Sequence, residues 1–106
     1  MTFGQIIAAE RKKLGLSQKD LAGRILKEDG TPISPQYLND IERDRRNAPS
    51  DYLIGQLASV LQQEDADYLY YIAGQFPGDL RDGSRSKEEV QEAFVAFRSK
   101  LNKQRV

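Results

Sequence analysis

Apolar residues recur along this chain at helical intervals, and the segments they mark are separated by glycine, proline and short polar caps. Over 3–14, Ile6, Ile7 and Leu14 share one face while Glu10, Lys12 and Lys13 lie elsewhere, and Gly15 supplies a stop. A second helix is expected over 17–26. Ser17 is a good N-cap, Asp20 follows as the acidic member of a capping box, and Leu21, Ala22, Ile25 and Leu26 make the buried stripe. Lys27-Glu28-Asp29-Gly30-Thr31-Pro32 reads as a loop, because Asp-Gly and Thr-Pro are turn signals.

A third helix is expected over 35–43, capped by Ser34, with Pro35 at the first helical position where a missing N–H costs nothing. Leu38 and Ile41 face inward. Asn47-Ala48-Pro49 breaks the chain, and Ser50 caps a fourth helix over 51–62 that buries Leu53, Ile54, Leu57, Ala58 and Leu61. A fifth helix over 65–74 carries Leu69 and Ile72 beside Tyr68, Tyr70 and Tyr71, three rings that cannot all be buried on one helix. Pro77, Gly78 and Gly83 mark a linker over 76–85. Ser86 with Glu89 then opens a last helix over 87–103, where Val90, Phe94, Phe97 and Leu101 form a seam of coiled-coil spacing. No segment alternates long enough for a strand. The expected class is all-α: a five-helix domain over 1–75 and an additional C-terminal helix within 86–106.

Composition narrows the chemistry. The 106 residues hold neither cysteine nor histidine, which removes disulfides, thiolate metal sites, thiol nucleophiles and the commonest general base. No Gly-rich phosphate loop or metal-ligand spacing appears, so an enzyme, a cofactor and a small-molecule ligand are not expected. No apolar stretch approaches the ~20 residues of a membrane span, and the N-terminus lacks a cleavable signal pattern, so the expectation is a cytoplasmic protein without a membrane partner. Net charge is zero, yet it is segregated: +2 over 1–46, −5 over 47–82 and +3 over 83–106. A locally basic face is therefore available on the N-terminal half, and the acidic middle is expected to point away from a phosphate backbone.

The informative stretch is 14–46. It is a helix, a connection, a second helix with a polar outer face, and a basic end. A helix fits the major groove of B-DNA, where glutamine and asparagine amides can pair bidentately with adenine. Gln36 and Asn39 are the base-reading candidates. Asp40 is either solvated or an acceptor towards cytosine. Arg43, Arg45 and Arg46 either reach phosphates or form an ordinary solvated turn.

The run Leu14-Gly15-Leu16-Ser17-Gln18, followed by Tyr37-Leu38 and Ile41-Glu42-Arg43 with basic residues and Pro49-Ser50 just after, resembles the repressor and Cro family of helix-turn-helix proteins. The resemblance covers roughly residues 3–75. It implies a DNA-facing set of Ser17, Gln18, Lys19, Ser34, Pro35, Gln36, Tyr37, Asn39, Asp40, Arg43, Arg45 and Arg46, and Lys27 in the connection is a further candidate of this sequence's own. Within that set, Gln18 contacts a phosphate and helps orient the third helix, Tyr37 touches the sugar-phosphate backbone, and the arginines hold phosphate. Arg11 and Glu42 match a buried ion pair joining the first and third helices. The sequence departs from the family in two places. The connection is longer by about six residues, 27–32, leaving Ile33 as the apolar plug and making Lys27 either a DNA contact or part of an inert loop. Pro35 stands where relatives often carry a polar base reader.

The resemblance implies a transcription regulator, expected as a bacterial or phage homodimeric repressor on double-stranded DNA with a pseudo-palindromic operator. The alternative is a protein-interaction module, an antitoxin-like adaptor on the same fold. Val90, Phe94, Phe97 and Leu101 either dimerise or fold the last helix back onto its own domain.

Overall fold

The computed structural model describes residues 1–46, 50–62, 66–81 and 83–103. Within them lie the α-helices α1 (Phe3–Lys13), α2 (Gln18–Arg24), α3 (Pro35–Glu42), α4 (Asp51–Val60), α5 (Asp67–Ala73) and α6 (Lys87–Lys103), with a one-turn 3₁₀ helix at Gly78–Leu80. The class is all-α, and no described helix is long and apolar enough to cross a membrane. The Asn47-Ala48-Pro49 break and the start expected for the fifth helix at Asp65 lie outside the described residues.

Local chemistry sets most helix ends. Thr2 with Gln5 and Ser17 with Asp20 form reciprocal capping boxes, while the hydroxyls of Ser34 and Ser50 accept from the amides of Tyr37 and Leu53. Gly15, at φ +71°, closes α1: its own amide bonds the Lys12 carbonyl at 3.0 Å, and that of Leu16 reaches back to Arg11 at 3.2 Å. Leu14, expected on the buried face, is instead the C-cap and is 38% exposed. Arg11 takes the buried stripe one turn after Ile7, and the chain turns away before another element covers Leu14.

Ile7, Leu21, Ile25, Leu38, Ile54, Leu57 and Leu69 are fully buried at the centre, ringed by Phe3, Ile6, Ile33, Ile41, Leu61 and Tyr70. Leu53 and Ile72 are half-buried against this core. Of the three tyrosines only Tyr70 is buried; its hydroxyl donates to the Asp51 carbonyl, and burial pushes its pKa above the ordinary 10.0. Gly4 lets α1 press on the end of α3, because a Cβ there would overlap the carbonyl oxygens of Ile41 and Glu42.

The second helix stops two residues short of expectation. Ile25 is extended (φ −101°, ψ 115°), since the chain turns here into a miniature hairpin. The Lys27 amide donates to the Thr31 carbonyl at 2.7 Å, the Ile33 amide to the Ile25 carbonyl at 2.9 Å, and Leu26 bridges Pro32 antiparallel. Glu28 and Asp29 form the tip, closed by the Gly30 amide on Lys27 with Gly30 at φ +88°. The predicted loop is therefore an ordered protrusion inside the turn between α2 and α3. Asp29 Oδ1 accepts from both the amide and the hydroxyl of Thr31, and Gln56 Oε1 on α4 accepts from the Leu26 amide.

The segment expected as a linker carries the 3₁₀ turn and ion-pairs through Arg81 with Asp51. Every described residue of α6 is exposed, yet Phe97 lies 6.2 Å from the Tyr71 ring and Phe94 stands edge-on to Phe76 at 5.7 Å. The last helix thus leans on its own domain through two ring pairs while Val90, Val95 and Leu101 stay open to solvent.

Candidate nucleic-acid interface

The site is built on α3, and its anchor is underneath. Glu42 is buried and receives the Arg11 guanidinium in bidentate fashion, at 2.7 Å from Nε and 3.0 Å from Nη2, while Nη1 donates to the Leu16 carbonyl at 2.9 Å. One guanidinium thereby ties α1, the α1–α2 turn and α3 together. From α2, Gln18 Nε2 donates to the same Glu42 at 2.9 Å and to Asn39 Oδ1 at 3.1 Å. Arg43 Nε also donates to Asn39 Oδ1, at 3.3 Å. The chain Arg11–Glu42–Gln18–Asn39–Arg43 runs from the core to the outer edge of α3 and fixes how the two helices sit.

Ser34, Pro35, Gln36 and Arg43 are exposed, while Tyr37, Asn39 and Asp40 are half-buried at the margins of that face. Gln36 donates to Asp40 Oδ1 at 3.0 Å, one helical turn on. Asp40 also faces Arg46 at 3.7 Å, and the Arg46 guanidinium lies 4.4 Å from the centre of the Tyr37 ring. Asp40 is therefore engaged with its neighbours, and Tyr37 and Arg46 form one stacked unit. Arg45 is exposed, and no carboxylate among the described residues pairs with it. Ser17 is committed to capping α2, Lys19 is exposed on α2, and Lys27 is exposed on the hairpin. The structure links Gln18, Asn39 and Arg43 in one set of hydrogen bonds and Gln36, Asp40, Arg46 and Tyr37 in another, both built on α3 and its exit; Lys27 stands apart from both.

Asp44 is the residue that sequence reasoning passed over. It holds φ +56° just beyond α3, where the Asp44 and Arg45 amides close the helix on Ile41 and Asp40. A non-glycine residue able to adopt this conformation, directly after the last helical turn, was the available signal.

A helix-turn-helix family model matches residues 7–69, the span from α1 to α5. Comparison with curated proteins and with solved structures returned no match. The capped α2 and α3, the buried Arg11–Glu42 pair and the matched span together identify the chain as a member of the repressor and Cro type of helix-turn-helix family, the DNA-binding regulators of transcription.

Proposed function

We propose that this chain is a homodimeric repressor of bacterial or phage type that lays α3 in the major groove of a pseudo-palindromic operator. One observation carries the reading. Gln36 and Arg43 are exposed, with Asn39 half-buried beside them, on the outer side of a helix whose inner side is pinned by the buried Arg11–Glu42 pair. Arg43, Arg45 and Arg46 at its end supply phosphate contacts, with Tyr37 along the sugar-phosphate edge and Lys19 and Lys27 flanking. Gln18 orients the surface. Repression then follows from occlusion of the promoter.

A groove of about 520 Å³ between α5, the 3₁₀ turn and α6, lined by Tyr71, Phe76, Leu80, Phe94 and Phe97, supports dimerisation and equally a second reading, an adaptor that binds another protein. Selection from a random duplex library at two salt concentrations separates them. Enrichment of an inverted repeat with half-sites one helical turn apart, roughly 34 Å, is the expected result. Failure to retain any duplex at low salt sinks the repressor reading and leaves the adaptor.

A further inference from the structure

The hydrogen bonds around Asn39 have a direction. Its Oδ1 receives Nε2 of Gln18 at 3.1 Å and Nε of Arg43 at 3.3 Å, which occupies both lone pairs of a carbonyl oxygen. A guanidinium only donates, so the amide must turn its oxygen, not its nitrogen, towards Arg43. Gln18 is held the same way round because its other nitrogen-borne hydrogen goes to Glu42 Oε1 at 2.9 Å, and that carboxylate, already paired with Arg11, only accepts. Two one-sided groups at the ends of the chain thus set the polarity of both amides. Among the described residues nothing accepts from Asn39 Nδ2, so this half-buried side chain keeps two donors without a protein acceptor.

Resting on the DNA-binding reading above, we propose that Asn39 reads its base purely as a donor, through Nδ2, and that the base it selects is guanine. An asparagine that pairs with adenine needs both ends of its amide, the oxygen for N6–H and the nitrogen for N7. Here the oxygen is spent within the protein, so the adenine amino group would face a saturated acceptor. Guanine presents N7 and O6, two acceptors and no donor, in the major groove. Thymine offers one acceptor beside its methyl group, and cytosine offers a donor. The order of preference is guanine, then thymine, with adenine and cytosine disfavoured.

The test measures the binding of the full chain to its selected operator with each of the four bases placed in turn at every half-site position. Asn39→Asp keeps an acceptor for Gln18 and Arg43 but removes the donor. It is expected to abolish a guanine preference at one position per half-site, a loss of roughly 10- to 100-fold on that operator. The double variant Gln18→Ala, Arg43→Ala releases the oxygen and is expected to turn the same position from guanine towards adenine. A merely structural role for the network would weaken all four operators alike. Should the double variant fail to fold, Asn39→Asp decides alone. The proposal is overturned if the wild type prefers adenine at the position that Asn39→Asp disturbs, or if that variant alters no position. A wild-type chain that binds no DNA instead removes the function on which the proposal rests.

Discussion

The Asp44 carboxylate accepts a hydrogen bond from the Gly4 amide at 3.0 Å, and its second oxygen takes the Thr2 hydroxyl at 2.5 Å. A residue at the C-terminal exit of α3 therefore neutralises free amide at the start of α1, 40 residues earlier in the chain. Its left-handed backbone closes one helix while its side chain caps another. Asp44→Ala loses the cap and keeps the unfavourable φ, and about 1–2 kcal/mol of stability is expected to go. Asp44→Gly loses the cap but relieves the backbone and should cost less. Urea unfolding of both variants is the check; equal costs would mean that the backbone conformation carries no weight.

The buried pair makes a larger difference. The side chains of Arg11 and Glu42 are 11% and 5% exposed, so Arg11→Ala strands a desolvated carboxylate with Gln18 as its remaining side-chain partner among the described residues. A loss of about 3–5 kcal/mol is expected. Replacing both, as Arg11→Met with Glu42→Leu, removes the stranded charge and should recover most of it. A double variant as unstable as the single would place the stability in the Leu16 and Gln18 bonds rather than in charge pairing.

Among the described residues, two hydrogen-bonded carboxyls contribute to acid stability. The Ser17 amide, and secondarily its hydroxyl, hold the Asp20 carboxyl below its ordinary 3.8, and the Thr31 hydroxyl and amide do the same for Asp29. A carboxyl whose pKa is lowered on folding stabilises fully above its unfolded value, and that contribution is lost as pH falls through the folded value. Stability should thus decline below about pH 4, and Asp20→Asn should flatten part of that decline. Thermal unfolding followed from neutral pH down to about pH 3 measures it; an unchanged slope in Asp20→Asn would remove the capping box from the account.

On DNA, positioning and reading should separate. Arg45→Ala is expected to weaken all sequences alike and to lower the salt slope by about one. Gln36→Ala should leave the slope alone and cost about 1–3 kcal/mol on the selected operator only. Binding isotherms at several salt concentrations distinguish them, and an equal loss on random and selected duplex would exclude Gln36 as a base reader.

Helix positions, most caps and the buried stripe were legible from spacing and residue type, since Ser17, Ser34, Ser50 and Gly15 act through neighbours within a few residues. The Arg11–Glu42 pair was legible only through the family pattern, because nothing in either residue's own surroundings announces a partner 31 positions away. The end of α2 was misplaced because Ile25 and Leu26 continue the helical stripe, while cross-chain bonds from Lys27 and Ile33 draw the backbone into a hairpin.

Sequence by itself determined the all-α class, the helix-turn-helix order and the polar face of α3, all of which follow from short-range periodicity and capping. Tertiary structure alone decided which of those polar groups are already spent. Whether the Asn39 amide engages its oxygen or its nitrogen within the protein depends on Gln18 and Arg43 approaching it from two directions, and hydrogen-bond directionality is a property of packed geometry rather than of residue order.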